Sequence, residues 1–147
     1  MAVQTSSHDS MIPGADRGCL LIADVSGYTS YLRDTELEHA QDVLADLIET
    51  VVDHLRPALR ISKLEGDAVF AYALESEIEG SILLDVIEDT YFAFRSRLRD
   101  IRLATTCDCS ACRLIPNLGL KFVAHHGRFV RNRVAGNEEL TGSEVVV

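Results

Sequence analysis

The sequence predicts an α+β fold: a largely antiparallel sheet with two long helices on one face. Three observations carry this. The continuous apolar run Cys19-Leu20-Leu21-Ile22-Ala23 has the length of one buried strand. Two later stretches, from Glu38 to about Leu55 and from Gly80 to about Arg102, switch to the helical period. The segments between and after them, 60–73 and 118–136, are rich in β-formers and punctuated by glycine. The order is β-α-α-β-β-α-β-β followed by the start of one more helix, which contains a β-α-β-β-α-β core.

The first strand is expected over 18–24. It stops at Asp24, and Val25-Ser26-Gly27-Tyr28-Thr29 turns the chain into a helix. In the next helix Ala40, Val43, Leu44, Leu47, Ile48, Val51, Val52 and Leu55 form one apolar face, and Pro57 ends it. Residues 60–73 read as two short strands around a turn at Glu65-Gly66-Asp67. Leu83, Ile87, Phe94, Leu98 and Ile101 mark the buried stripe of the second long helix, with Arg95, Arg97, Arg99 and Arg102 mostly off it. CDCSACRLIPN reads as a loop. LGLKFVAHHG (118–127) reads as a strand, and GRFVRNRVAG (127–136) as a second strand pairing with it. Thr141 or Ser143 would cap a helix that the remaining residues have no room to form.

The 147 residues favour one domain. Residues 1–17 are expected to be a disordered polar lead-in and 18–147 the domain, cut short at its C-terminus. No apolar run approaches the ~20 residues of a membrane span, and no signal peptide is evident. A net charge of −9 argues against a nucleic-acid polymer as partner. It leaves room for a single nucleotide, whose phosphates a metal ion and backbone amides can offset. Four cysteines, three of them in CDCSAC, do not resemble a secreted disulfide framework, so a cytoplasmic protein is expected.

Asp24 ends the first strand and Asp67 sits at the tip of the middle hairpin. In a β-α-β-β-α-β core the first strand is central and lies beside the third, which brings these two positions to one sheet edge. Paired carboxylates on rigid strands suit a hard cation such as Mg²⁺ or Mn²⁺. The glycine-bearing turn beside them offers backbone amides that a phosphate can approach closely.

The motifs DVSGYTSYL, KLEGDAVFAYA and LKFVAHHG resemble the class III nucleotidyl cyclase catalytic domain, in order and over residues from about Gly18 onward. The CxCxxC insertion is similar to that of a divergent bacterial branch of cyclase-homology proteins. The resemblance implies a ferredoxin-like core and a homodimer with each site built from both subunits. The reaction would convert ATP to cyclic AMP and pyrophosphate. By position, Asp24 and Asp67 match the two catalytic, metal-binding aspartates. The backbone of Val25, Ser26, Gly27, Tyr28 and Thr29 matches the phosphate-binding turn, and Lys63 the lysine that reads the base. In the final motif Glu139 stands where an aspartate contacts the base and Val146 where the catalytic asparagine belongs. The arginine position lies beyond Val147. Losing such donors costs about 10²–10³ in rate each, so weak turnover is expected. The alternative is a catalytically impaired dimer that binds nucleotide or metal, or serves assembly.

Cys107, Cys109 and Cys112 offer three thiolates for zinc, which takes four ligands in a tetrahedron. Cys19, His125, His126 or a partner subunit are candidates for the fourth; a reduced loop without metal is the alternative. His39 and His54 read as surface or packing residues.

Overall fold

A computed structural model describes residues 14–33, 37–143 and 145. The elements are β1 (Ala15–Ser26), α1 (Tyr28–Arg33), α2 (Leu37–Leu55), β2 (Arg60–Glu65), β3 (Ala68–Leu74), α3 (Gly80–Ala104), α4 (Ser110–Leu114), a 3₁₀ turn (Ile115–Asn117), β4 (Gly119–Val134) and β5 (Asn137–Thr141). The strands form one sheet in the order β2-β3-β1-β4-β5. Every adjacent pair is antiparallel. The expected α+β architecture is present, with β1 central and beside β3.

The core follows from two periodicities. Along β1 the buried residues Leu21, Ala23 and Val25 alternate with the half-buried Leu20, Ile22 and Asp24. Val69, Ala71 and Ala73 of β3 share the buried set. Against them pack Leu44, Leu47, Val51 and Leu55 of α2 and Phe94 and Leu98 of α3. Thr90, buried on α3, satisfies its hydroxyl by donating to the Val86 carbonyl at 2.6 Å. Asp46 of α2 and Arg97 of α3 join the two helices through paired 2.6 Å hydrogen bonds, which hold the Asp46 carboxyl below its ordinary range.

Three boundaries differ from the expectation. β1 begins at Ala15, ahead of the apolar run; residues 1–13 lie outside the described residues. The expected hairpin at Gly127 is instead one continuous strand, β4. Gly127 sits opposite Gly18 in the β1–β4 register. At Gly18 an added Cβ would fall 2.0 Å from the Ala73 carbonyl oxygen, so a glycine here serves close strand packing, not a turn. The turn comes at Ala135-Gly136, both in the left-handed region (φ 52° and 83°), as a two-residue hairpin requires. Finally, the cysteine segment is not all loop: it contains α4 and the 3₁₀ turn.

Candidate functional site

The exit of β1 and the β2–β3 turn meet. Asp24 stands opposite Ala68 on β3 and Lys121 on β4. The amide of Val25 donates to the carbonyl of Asp67 at 2.9 Å, so the two aspartate-bearing segments are joined backbone to backbone. Gly66 makes the turn with φ +56°. The Asp24 carboxylate, 27% exposed, lies 3.2 Å from the Lys121 ammonium. Burial first, and then the charge of Asp67, raise the Tyr28 hydroxyl above its ordinary range.

Beside these residues Gly27 takes φ +84° and leads into α1, where the Tyr31 amide donates to the Gly27 carbonyl at 3.0 Å. A Cβ on Gly27 would sit 2.9 Å from the carbonyl oxygen of Asn117, so the turn rests directly on the 3₁₀ segment. Because the Val25 amide is engaged by Asp67, it is not one of the donors this turn offers outward.

The sheet face away from α2 and α3 carries a cleft of about 370 Å³. Leu20, Ile22, Phe70 and His125 line it, together with Lys63 and Glu139. Asp24 continues the same face of β1 two residues beyond Ile22. Lys63 reaches the cleft from β2, just past a bulge at Ile61/Lys63. Its ammonium lies 2.7 Å from Glu65 and 4.9 Å above the Phe70 ring. The Glu65 hydrogen bond, against a smaller opposing effect of burial, raises the ammonium above its ordinary range, and the charge of Glu139 adds to this. Beyond the cleft Tyr72 stacks edge-on against Phe129 and donates its hydroxyl to Glu138. Val146 and Val147 lie outside the described residues.

A second cluster occupies the helical side. His39 in the first turn of α2 joins Cys107, Cys109 and Cys112, with all four ligand atoms within 4.8 Å of one another; the group could hold a metal ion. His39 Nδ1 is 3.3 Å from Cys109 Sγ and 4.0 Å from Cys107 Sγ, and Cys109 Sγ is 3.3 Å from Cys112 Sγ. These are thiols, well beyond the ~2.05 Å of a disulfide. A hydrogen bond from the Cys112 backbone amide, then His39, brings the Cys109 thiol down to about 7. Burial, then the neighbouring thiols, pushes Cys112 up to about 12. The three cysteines were legible in sequence; His39, read as a surface or packing residue, was missed. Cys19, His125 and His126 are not in the cluster. The Asp46–Arg97 pair shows why His39 is: with the helices side by side, the start of α2 meets the chain leaving α3.

Among the described residues no helix is long and apolar enough to cross a membrane.

Residues 44–147 match the family model described as "Protein of unknown function (DUF2652)". An uncharacterized protein of Mycobacterium tuberculosis, Rv2561/Rv2562, is 35% identical over 104 residues, which cover 71% of this chain and 48% of that protein. The chain thus spans about half the length of this curated relative. Solved structures of similar fold include adenylyl and guanylyl cyclases and a cyclase-like ATP-binding protein. The guanylyl cyclase Cya2 has a TM-score of 0.72 at 14% identity, covering 89% of this chain and 66% of that one. The adenylyl cyclase CyaB from P. aeruginosa has 0.70 at 14%, covering 89% and 68%. A class III adenylyl cyclase-like ATP-binding protein from Pseudomonas aeruginosa has 0.67 at 18%, covering 89% and 30%. The chain therefore has a cyclase-like fold.

Proposed function

The chain belongs to the DUF2652 family, and from that premise and its cyclase-like fold we propose that it is a nucleotide-binding domain for a metal–ATP complex. The observation that carries this reading is the shared cleft of Lys63 and Glu139. They come from distant motifs, bear opposite charges, and line one apolar cleft whose β1 face runs on to Asp24. An apolar cleft with a few convergent polar groups is what a purine needs. The Lys63 ammonium donates to adenine N1 while the Glu139 carboxylate accepts from the exocyclic amine; guanine presents the opposite pattern at both atoms. Asp24 and Asp67 supply oxygen ligands suited to Mg²⁺ or Mn²⁺. The outward amides of the Ser26–Thr29 turn receive the phosphates.

If turnover occurs, the ribose 3′-oxygen attacks the α-phosphorus, the bond to the bridging oxygen of pyrophosphate breaks, and the hydroxyl proton is released. The metal, when bound, helps activate that hydroxyl and offsets phosphate charge. Asp24 and Asp67 hold it in place, and Lys63 and Glu139 orient the base. The active unit is a homodimer closing over the open sheet face, where Val123 is 54% exposed. We place it in the cytoplasm, where its cysteines stay reduced. The metal of the cysteine cluster is zinc, the ion that thiolate–imidazole sets favour.

A second reading, an impaired cyclase-homology dimer that binds nucleotide with little turnover, is favoured by Val146 at the expected asparagine position and by the Lys121 ammonium beside Asp24. Binding the ground state without stabilising the transition state does not raise kcat. Calorimetric titration with ATP and GTP in Mn²⁺ tests the proposal. ATP is expected to bind more tightly, and Lys63→Ala or Glu139→Ala to weaken it by about 10-fold or more, as loss of a charged hydrogen bond does. Equal affinity for both nucleotides in all three proteins would overturn base recognition in this cleft. A cyclic-nucleotide assay separates the two readings: we expect slow turnover at most.

A further inference from the structure

The four atoms that could ligate a metal ion come from three separate stretches of chain. His39 stands at the start of α2, Cys107 and Cys109 in the segment leaving α3, and Cys112 in α4. This region has little core of its own. Residues 106–108 are exposed, and α4 has five residues of which only Ala111 is buried. A helix that short is not stable by itself.

Yet the same region bears on the strand-end site from two sides. Just after α4, the Asn117 carbonyl meets the Gly27 turn so closely that a single added carbon would lie 2.9 Å away. From α1, Tyr31 is buried in the shared core. The helix that carries it, α1, packs against α4.

The ligand spacing suits one ion. A tetrahedral zinc with Zn–S of about 2.3 Å and Zn–N of about 2.0 Å has edges of roughly 3.5–3.8 Å. The separations of 3.3, 3.3 and 4.0 Å bracket that range.

Resting on the zinc reading above, we propose that His39 Nδ1 completes a Cys₃His zinc site with Cys107, Cys109 and Cys112, and that this zinc clasps the Gly27–Tyr31 turn in position. Binding releases the three thiol protons and leaves the His39 proton on Nε2. The bound ion fixes α4 and the 3₁₀ turn, and these hold the Gly27 turn from behind. Its loss loosens the turn and leaves the sheet intact.

The test uses the full chain purified under reducing conditions without added metal. Elemental analysis is expected to give one zinc per chain. His39→Ala should weaken zinc binding at least 100-fold, beyond the roughly 10–100-fold cost of losing a ligand's supporting partner; His39→Cys should restore it. Hydrogen exchange read by mass spectrometry, with zinc and after chelation, then addresses the clasp. Removal should speed exchange about 10-fold or more across 27–33 and 110–118, with β1, β3 and β4 unchanged. A zinc-free protein with an intact sheet overturns the zinc reading, and full affinity in His39→Ala overturns the fourth ligand. Zinc that is present and lost in His39→Ala, but whose removal changes exchange only within 105–112, overturns the clasp and leaves the zinc standing.

Discussion

The two polar clusters sit on opposite sides of the sheet and are built in different ways. Asp24, Asp67, Lys63 and Glu139 are carried on strands or their turns, and the sheet register sets their positions before any ligand arrives. His39 and the three cysteines come from a helix start, an exposed segment and a five-residue helix, whose own packing is slight. The contrast teaches that a site on strands is held in place by the core, whereas a site on loops depends more on a ligand to keep it in place.

The largest effect should come from the element both regions share. Phe94 is fully buried among the packed helices and sheet. Phe94→Ala should cost about 3–5 kcal/mol by chemical denaturation and weaken both clusters together. Loss of one cluster alone would break the comparison by showing that the regions do not draw on a common core.

Gly27→Ala strikes the junction. It puts a side chain at φ +84° and 2.9 Å from the Asn117 carbonyl, so a cost of about 1–3 kcal/mol is expected. Nucleotide affinity should fall while zinc stays bound, because none of its four ligands is altered. Unchanged affinity would separate the turn from nucleotide binding.

Lys121→Ala should have the smallest effect. The Lys121 end of its ion pair with Asp24 is open to solvent, and such a pair is worth about 0–1 kcal/mol. Removing it should improve Mn²⁺ affinity by no more than about 5-fold, read by calorimetry. A sharp loss would mean that Lys121 itself serves the ligand.

The same contrast explains what the sequence made legible. Strands print their faces with period two, so Asp24 at the end of an apolar run and Gly66-Asp67 at a hairpin tip could be brought together from topology alone. The helical faces of α2 and α3 were equally plain in their apolar stripes. Gly127 was misleading because glycine marks both turns and close strand contacts; only the pairing with Gly18 decides between them. The true turn, Ala135-Gly136, has a weak signal because alanine rarely adopts positive φ. His39 was out of reach for a different reason. Nothing local distinguishes it from any exposed histidine on a helix, and its meeting with Cys109 depends on how α2 lies against α3.

The central claim is that Asp24 and Asp67 hold the metal of a bound nucleotide. The direct measurement is titration of Mn²⁺–ATP into the wild-type chain and the Asp24→Ala/Asp67→Ala variant, with circular dichroism to verify that the variant is folded. Saturable binding by the wild type that requires Mn²⁺, and its loss in the folded variant, is the expected result. Equal binding by both proteins, or wild-type binding indifferent to the metal, would contradict it.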